Sequence, residues 1–320
     1  MLRKITEQIW NLQVEIFNGR ANVNCYLLQG EKGYTVLDTG LPTESMKQAW
    51  LEVIEKGFSI EKVVITHVHQ DHVGLARWFQ EKHGVPVYVS RESLAEIEEY
   101  ARPDFPERFF QLLRKYGAVR IPSRLEYQNI YDFTPDGVFD EGDFIRLGNE
   151  EYQAIWTPGH AHDQYCFYQP ERKIMFTGDH ILQHISPVIG LWSAYEVDAL
   201  SLYLRSLDKI EKYEVDRAFS GHGDEIKHFQ GRIKDIRSRH QHRLQQVLTS
   251  IEGTAKSAHE VCVEIYGKEY NISQFMAILT RCIYLETIGK VERIEREEQV
   301  VFKVTKDQSL SPGKIVTEEY

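Results

Sequence analysis

Within the segment Thr66-His67-Val68-His69-Gln70-Asp71-His72-Val73-Gly74, three imidazoles and a carboxylate fall inside six residues, directly after the apolar run Val63-Val64-Ile65. A strand continued through this point would send His67 and His69 to one face. The chain must then turn, and a helix beginning near His72 would aim Asp71 and His72 at a second point close to the first. Imidazole nitrogen and carboxylate oxygen are the donors that borderline cations such as zinc favour. Two ligand pairs at this spacing fit two metals a few ångströms apart.

Six residues cannot close two four- or five-coordinate sites, so further ligands must come from elsewhere. Three segments offer them, each at the end of a predicted strand: Thr157-Pro158-Gly159-His160, Thr177-Gly178-Asp179-His180 and Ser220-Gly221-His222-Gly223. A glycine beside each of His160, Asp179 and His222 lets the backbone turn sharply and bring the side chain close. The chain holds 13 histidines, and a lone Gly-His is ordinarily a turn residue. Four strand-end segments with the right residue types in order carry far more weight. No Gly-x-Ser-x-Gly elbow is present to supply a serine nucleophile.

The elements that must position these residues alternate. Three short strands are predicted over 8–40 (Gln13–Phe17, Asn24–Leu28 and Tyr34–Leu37), the last ending in Asp38-Thr39-Gly40. A helix over Ser45–Lys56, a strand over Lys62–Thr66, a helix over Val73–His83 and a strand over Val85–Ser90 follow. Residues 91–145 break this rhythm with two aromatic-rich helical stretches, Glu92–Arg102 and Pro106–Tyr116, read as an insertion that could cover a site. Strands are predicted at Tyr152–Trp156, Gln164–Tyr168, Ile174–Thr177 and Val215–Phe219, with Asp198 capping a helix through Lys212. Ile226–Ile251 reads as a long amphipathic helix, and Ala258–Tyr266, Ile272–Thr287, Val291–Glu295 and Val300–Val304 as helix, helix and a hairpin around Arg296-Glu297-Glu298. That tail is winged-helix-like. The domain reading is a catalytic domain over 1–225, a connecting helix over 226–252 and the winged-helix-like domain over 253–320.

The order and types of His67-Val68-His69-Gln70-Asp71-His72, His160, Asp179 and His222 resemble the metallo-β-lactamase superfamily across roughly residues 10–225. The resemblance implies an α/β fold, a four-layer αββα sandwich with its site at one edge. It implies that His67, His69 and His160 hold one divalent metal and Asp71, His72 and His222 a second. Asp179 and a hydroxide would bridge the two, making Asp71 and Asp179 the catalytic carboxylates. Asp38 resembles the carboxylate that steadies a ligand from behind. Zinc, manganese or iron would suit the set. The tetrapeptide Thr177-Gly178-Asp179-His180 and the tail look like the glyoxalase-II-like and lactamase-like-2 branch. True β-lactamases of the common subclass place Cys where Asp179 stands, lack such a tail and are exported, so antibiotic hydrolysis is not expected. A hydroxide shared by two metals is available near neutral pH, because a metal lowers the pKa of water to about 7.

Composition narrows the substrate. Of 320 residues, 42% are hydrophobic and 27% charged, an ordinary soluble balance, and the formal net charge is -10. That excess of carboxylate repels a phosphate backbone. The tail carries nine Lys/Arg against twelve Asp/Glu over 251–320, a poor DNA reader. Arg232, Lys234, Arg237, Arg239 and Arg243 form the one dense basic stretch, read as a solvated helix face. The favoured expectation is hydrolysis of a small-molecule thioester, lactone or related acyl compound. A phosphodiesterase or ribonuclease using the same centre ranks second, and a DNA-binding regulator with a sensor domain third. Cys25, Cys166, Cys262 and Cys282 form no CxxC pair and read as buried apolar positions. With no signal-peptide core and no apolar run near the roughly 18 residues needed to span a bilayer, a cytoplasmic location is expected. The long helix and tail offer a surface for a homodimer. Near the site, His162 and Asp163 read as turn-stabilising, and His180, His184, Trp192 and Tyr195 as loop residues within reach of a substrate pocket.

Overall fold

A computed structural model of the chain describes residues 1–16, 21–119, 128–296 and 299–305. Phe17, residues 120–127 of the expected insertion, the turn residues Glu297 and Glu298, and the final stretch 306–320 lie outside the described residues. In chain order the elements are β1 (Leu2–Lys4), β2 (Ile9–Ile16), β3 (Ala21–Gln29), β4 (Tyr34–Leu37), α1 (Glu44–Glu55), β5 (Ile60–Val64), α2 (Gln70–Val73) and α3 (Ala76–His83). Next come β6 (Val87–Ser90), α4 (Arg91–Tyr100), α5 (Phe105–Lys115), β7 (Gly137–Phe139), β8 (Phe144–Leu147), β9 (Glu150–Trp156), β10 (Tyr165–Gln169) and β11 (Ile174–Gly178). The chain continues through α6 (Ala199–Ile210), β12 (Arg217–Ser220), α7 (Phe229–Ile251), α8 (Ala258–Tyr266), α9 (Ile272–Thr287), β13 (Val291–Glu295) and β14 (Val300–Val304).

Two sheets form the centre. One has seven strands in the order β1-β2-β3-β4-β5-β6-β7, the other five in the order β12-β11-β10-β9-β8. Side-chain alternation shows how they pack. Tyr26 and Leu28 of β3 join Phe139, Tyr152, Tyr165, Phe167, Phe176 and Phe219 in an apolar layer shared by both sheets. Cys25 and Leu27, one position out of phase, face the outer layer with Met46, Trp50, Val53 and Phe79 of α1 and α3. On the second sheet Ile174 and Phe176 point inward, while Met175 points out with Leu207 and Ile210 of α6 and Ile233 and Ile236 of α7. Helix, sheet, sheet, helix is the expected sandwich.

The sandwich lines up strand ends. β4, β5 and β6 run parallel in the first sheet. In the second, β9 and β11 are each antiparallel to β10, and β12 is parallel to β11, so β9, β11 and β12 share a direction. Every segment singled out in the sequence follows the C-terminal end of one of these strands, where open α/β sheets bind ligands.

Two local departures have physical reasons. The helix expected over Val73–His83 is broken into α2 and α3 at Gly74, whose backbone sits so close to Gln70 and Gly40 that a Cβ would meet their carbonyl oxygens at 2.4 and 2.6 Å. The stretch read as an insertion over 91–145 ends in β7, which pairs with β6 as the edge strand of the first sheet, and in the start of β8. The C-terminal elements appear at the expected bounds, with capping boxes at Ser257/Glu260 and Asn271/Gln274 fixing the starts of α8 and α9. All four cysteines are buried and unpaired.

Trp50 joins the outer layer to the strand ends. Its ring is fully buried edge-on to Phe79, and its indole N–H donates to the carbonyl of Thr39 at 2.8 Å, in the loop just after β4. Trp50→Ala leaves a cavity and an unpaired carbonyl, and is expected to destabilise the fold by about 3–5 kcal/mol, read as a lower midpoint in urea unfolding.

Candidate metal centre

All seven residues picked from the sequence meet at the aligned strand ends. His67 and His69 lie in the loop after β5, not on the strand itself, while Asp71 and His72 sit on the single turn of α2. His160 follows β9, Asp179 follows β11 and His222 follows β12. Three groups each offer one ligand atom per residue with all atoms within 4.8 Å of one another: His67, His69 and His160; His67, His72 and Asp179; and Asp71, His72 and His222. Asp179 stands between them. One of its oxygens is 3.5 Å from His72 Nε2, and the other is 3.5 Å from His160 Nε2 and 3.1 Å from His222 Nε2. Asp71 is 3.3 Å from His222 Nε2.

Hydrogen bonds behind the rings aim them. His72 Nδ1 donates to Asp38 at 2.8 Å, His160 Nδ1 to the carbonyl of Val188 at 2.8 Å, and His222 Nδ1 to the carbonyl of Asn22 at 2.5 Å. Thr66 Oγ1 gives its proton to Asp38 at 2.7 Å, so at 3.0 Å from His67 Nδ1 it acts as acceptor. With Nδ1 protonated in each case, the lone pair of Nε2 faces the centre. His69 is turned the other way, with Nδ1 facing His67 Nε2 at 3.2 Å. The inward Nε2 atoms of His72 and His160 and one oxygen of Asp179 are buried without a hydrogen-bond partner. Buried polar atoms are ordinarily paired, so converging orphans of lone-pair character fit a cation.

The electrostatics agree with that donor set. Burial pushes the imidazoles of His67 and His160 below their usual range and that of His69 down to about 3, so all three are neutral. Burial also opposes charge on His72, but Asp179 and Asp38 outweigh it and push the ring up to about 10. His222 is raised in the same way, against burial, by Asp179 and Asp71. Burial works against ionised Asp71 and Asp179 too, yet the neighbouring imidazoles hold both carboxyls below the ordinary range. Without a cation, protons on His72 and His222 balance the carboxylates.

Several residues support the centre, and apart from Asp38 and Asp163 they carry no sequence signal of their own. Asp38 has φ 62, a left-handed conformation that aspartate tolerates, and it also accepts the Thr66 backbone N–H at 2.8 Å. Asn24 donates to the carbonyls of Ser220 and Gly223, and Asn22 accepts from Gly223, so β3 holds the loop that carries His222. Gln164 accepts the Asp179 N–H at 3.1 Å. Gly221 has to be glycine: a Cβ there would meet Asp179 Oδ1 at 2.3 Å and His72 Cε1 at 2.6 Å. Asp163 is buried and accepts from the Val68 N–H and Ser93 Oγ at 2.8 and 2.7 Å, so it braces the His67–His69 loop from across the chain. His180 is buried against Tyr203, and His184 is exposed beside Asp224. Trp192 stands edge-on to His69, with ring centroids 6.1 Å apart, and with His162 and Tyr195 it lines a small recess of about 20 Å³.

Known proteins share both the sequence pattern and this architecture. The family model described as "Metallo-beta-lactamase superfamily" matches residues 18–222. The chain is 26% identical over 311 residues to the probable metallo-hydrolase YqjP of Bacillus subtilis, covering 92% of this chain and 94% of that one. It is 26% identical over 242 residues to an atrochrysone carboxyl ACP thioesterase of Aspergillus fumigatus, covering 74% of this chain and 62% of that one. Among solved structures, a metallo-beta-lactamase family protein of Thermus thermophilus superimposes with a TM-score of 0.83 at 26% identity, covering 94% of this chain and 100% of that one. With the family pattern matched over most of the chain and the fold over nearly all of it, this chain belongs to the metallo-beta-lactamase superfamily and is a hydrolase of that family.

Proposed function

We propose that the chain is a divalent-metal-dependent hydrolase that cleaves an ester-like acyl bond in a small molecule, a thioester foremost. The observation that carries this reading is the convergence of imidazole and carboxylate groups from the ends of β5, β9, β11 and β12 on one edge of the sandwich, several of their buried atoms without a hydrogen-bond partner. Relatives named as thioesterases supply the bond class. In this reading His67, His69 and His160 hold one cation and Asp71, His72 and His222 the other. Asp179 reaches both sets, and zinc, manganese or iron suits the donors. Bound there, the cations supply Lewis acidity and bring the ionisation of water to about pH 7.

The rest falls to the protein's own groups. Asp71 and Asp179 are the carboxylates of the centre, and, held ionised by the neighbouring imidazoles, their oxygens would orient the attacking water as hydrogen-bond acceptors. The Asp38 carboxylate, the Asn22 and Val188 carbonyls and the Thr66 hydroxyl fix the imidazoles behind them, so little reorganisation is needed during the reaction. Trp192 shields one flank of the centre beside His69.

Parallel assays of a thioester, a lactone, bis(p-nitrophenyl) phosphate and a short RNA test the reading. The expected result is acyl turnover that exhaustive chelation abolishes, zinc or manganese restores, and His67→Ala/His69→Ala lacks. Turnover confined to the phosphodiester or RNA would overturn it. Asp38→Ala tests the support behind His72: it is expected to weaken metal binding about 10- to 100-fold in competition with a chelator while leaving the circular-dichroism spectrum native. Unchanged affinity would mean that Asp38 serves the fold alone.

A further inference from the structure

A second opening lies between α7, α9 and the segment Ile185–Val188, a cleft of about 730 Å³, within the roughly 300–1,000 Å³ that holds small-molecule ligands. Among the described residues its lining includes Arg239, Arg243, Arg281, His240 and His242 and no Asp or Glu. In a chain of net charge -10 such a concentration of cations without carboxylates is a distinct feature. Among the described residues none of the three arginines forms an ion pair. Arg239 and Arg243 donate only to the His184 carbonyl and the Gln246 side chain, at 3.1 and 2.9 Å. Arg281 donates to the Ala277 carbonyl at 2.6 Å and to Tyr266, and its Nε is buried without a partner.

His240 adds an independent sign. The side chain is 3% exposed, and neither ring nitrogen has a hydrogen-bond partner. Ser186 Oγ, on the opposite wall, is likewise buried and unpaired. Burial first, and then Arg281, hold the His240 imidazole neutral, leaving one N–H donor and one lone pair unmet. Arg239 and Arg243 stand in solvent, but leaving the buried Nε of Arg281 and both nitrogens of buried His240 unpaired at the wall of a cleft is costly unless a ligand meets them. Planar guanidinium forks match the oxygens of phosphate better than any other side chain. Three of them around one opening exceed what a single carboxylate would satisfy.

We propose that this cleft is a binding site for a phosphate group carried on a small organic ligand. The inference rests on the hydrolase reading only for the ligand's origin. The Ile185–Val188 wall is also the segment whose Val188 carbonyl orients His160, and Thr280 of α9 bonds the next carbonyl, that of Ile189, at 3.1 Å. The cleft therefore lies behind His160, with the Ile185–Ile189 segment between it and the metal centre; its ligand is either the phosphorylated tail of an acyl thioester or a free phosphorylated effector, and the experiment separates the two.

The test is calorimetric titration of the metal-loaded protein with adenosine 3′,5′-bisphosphate and with adenosine, repeated on Arg239→Gln/Arg243→Gln. Both substituted side chains are exposed, and thermal melting checks that the fold is retained. The bisphosphate is expected to bind at least about tenfold more tightly than adenosine, and the double variant to lose that preference. Equal binding of the two, or an unchanged preference in the variant, would overturn the site. This arm needs no turnover, so its failure is separate from failure of the hydrolase reading. A kinetic arm compares one acyl group on pantetheine and on 4′-phosphopantetheine. A preference for the phosphorylated thioester in kcat/KM of about tenfold, lost in the variant, assigns the cleft to substrate. Bisphosphate binding without that preference assigns it to an effector.

Discussion

Five imidazoles and two carboxylates, most of them buried, are brought to one edge of this fold with several of their polar atoms lacking a hydrogen-bond partner. That arrangement costs free energy in an empty protein, since each desolvated polar atom forfeits its water. Much of the surrounding structure can be understood as the means of sustaining it. Asp38 is the clearest case: one side chain binds the His72 ring, the Thr66 hydroxyl and the Thr66 backbone N–H, joining the end of β4 to the loop after β5 and to α2. Through Thr66 the same carboxylate also fixes the proton on His67.

The two sheets divide the work. The first delivers His67, His69, Asp71 and His72 in one short stretch of chain, and the second delivers His160, Asp179 and His222 from three separate strand ends. Neither set suffices alone to surround two cations. What brings them into register is the aromatic layer between the sheets, and β3, whose Asn22, Asn24 and Tyr26 bind the Ser220–Gly223 loop of the opposite sheet. Stability of the sandwich and geometry of the centre are therefore one problem: a change in β3 far from the ligands in sequence displaces His222.

The seven converging residues were legible in the sequence because their types are chemically restrictive, four of them fall within six residues after a strand, and His160, Asp179 and His222 each stand at a strand end beside a glycine. The fold class was legible for a related reason, since the alternation of apolar runs and amphipathic helices is a local signal. Apart from Asp38, most of the supporting partners were not. His222 and Asn22 are separated by 200 positions, and nothing about an asparagine in a strand announces that its carbonyl will orient a ring so far along the chain. The break of the helix at Gly74 depends on the approach of Gly40 and escapes a periodicity argument for the same reason. The basic residues of α7, which read as one solvated face, serve different ends. Arg232 is buried and holds the carbonyls of Leu182 and Ile185 at 2.7 Å, whereas Arg239 and Arg243 open onto the cleft. Helical spacing alone does not separate a structural arginine from one left free for a ligand.

Asp179 is the carboxylate that joins the two halves of the centre, because its oxygens lie near His160 on one side and near His72 and His222 on the other. The most direct test is therefore the number of cations bound per chain at equilibrium, measured by elemental analysis of dialysed protein. Wild type is expected to hold two, and Asp71→Ala/His222→Ala, which leaves the His67, His69 and His160 group intact, is expected to hold one. A wild-type protein that binds a single cation, or none, would contradict the two-cation reading.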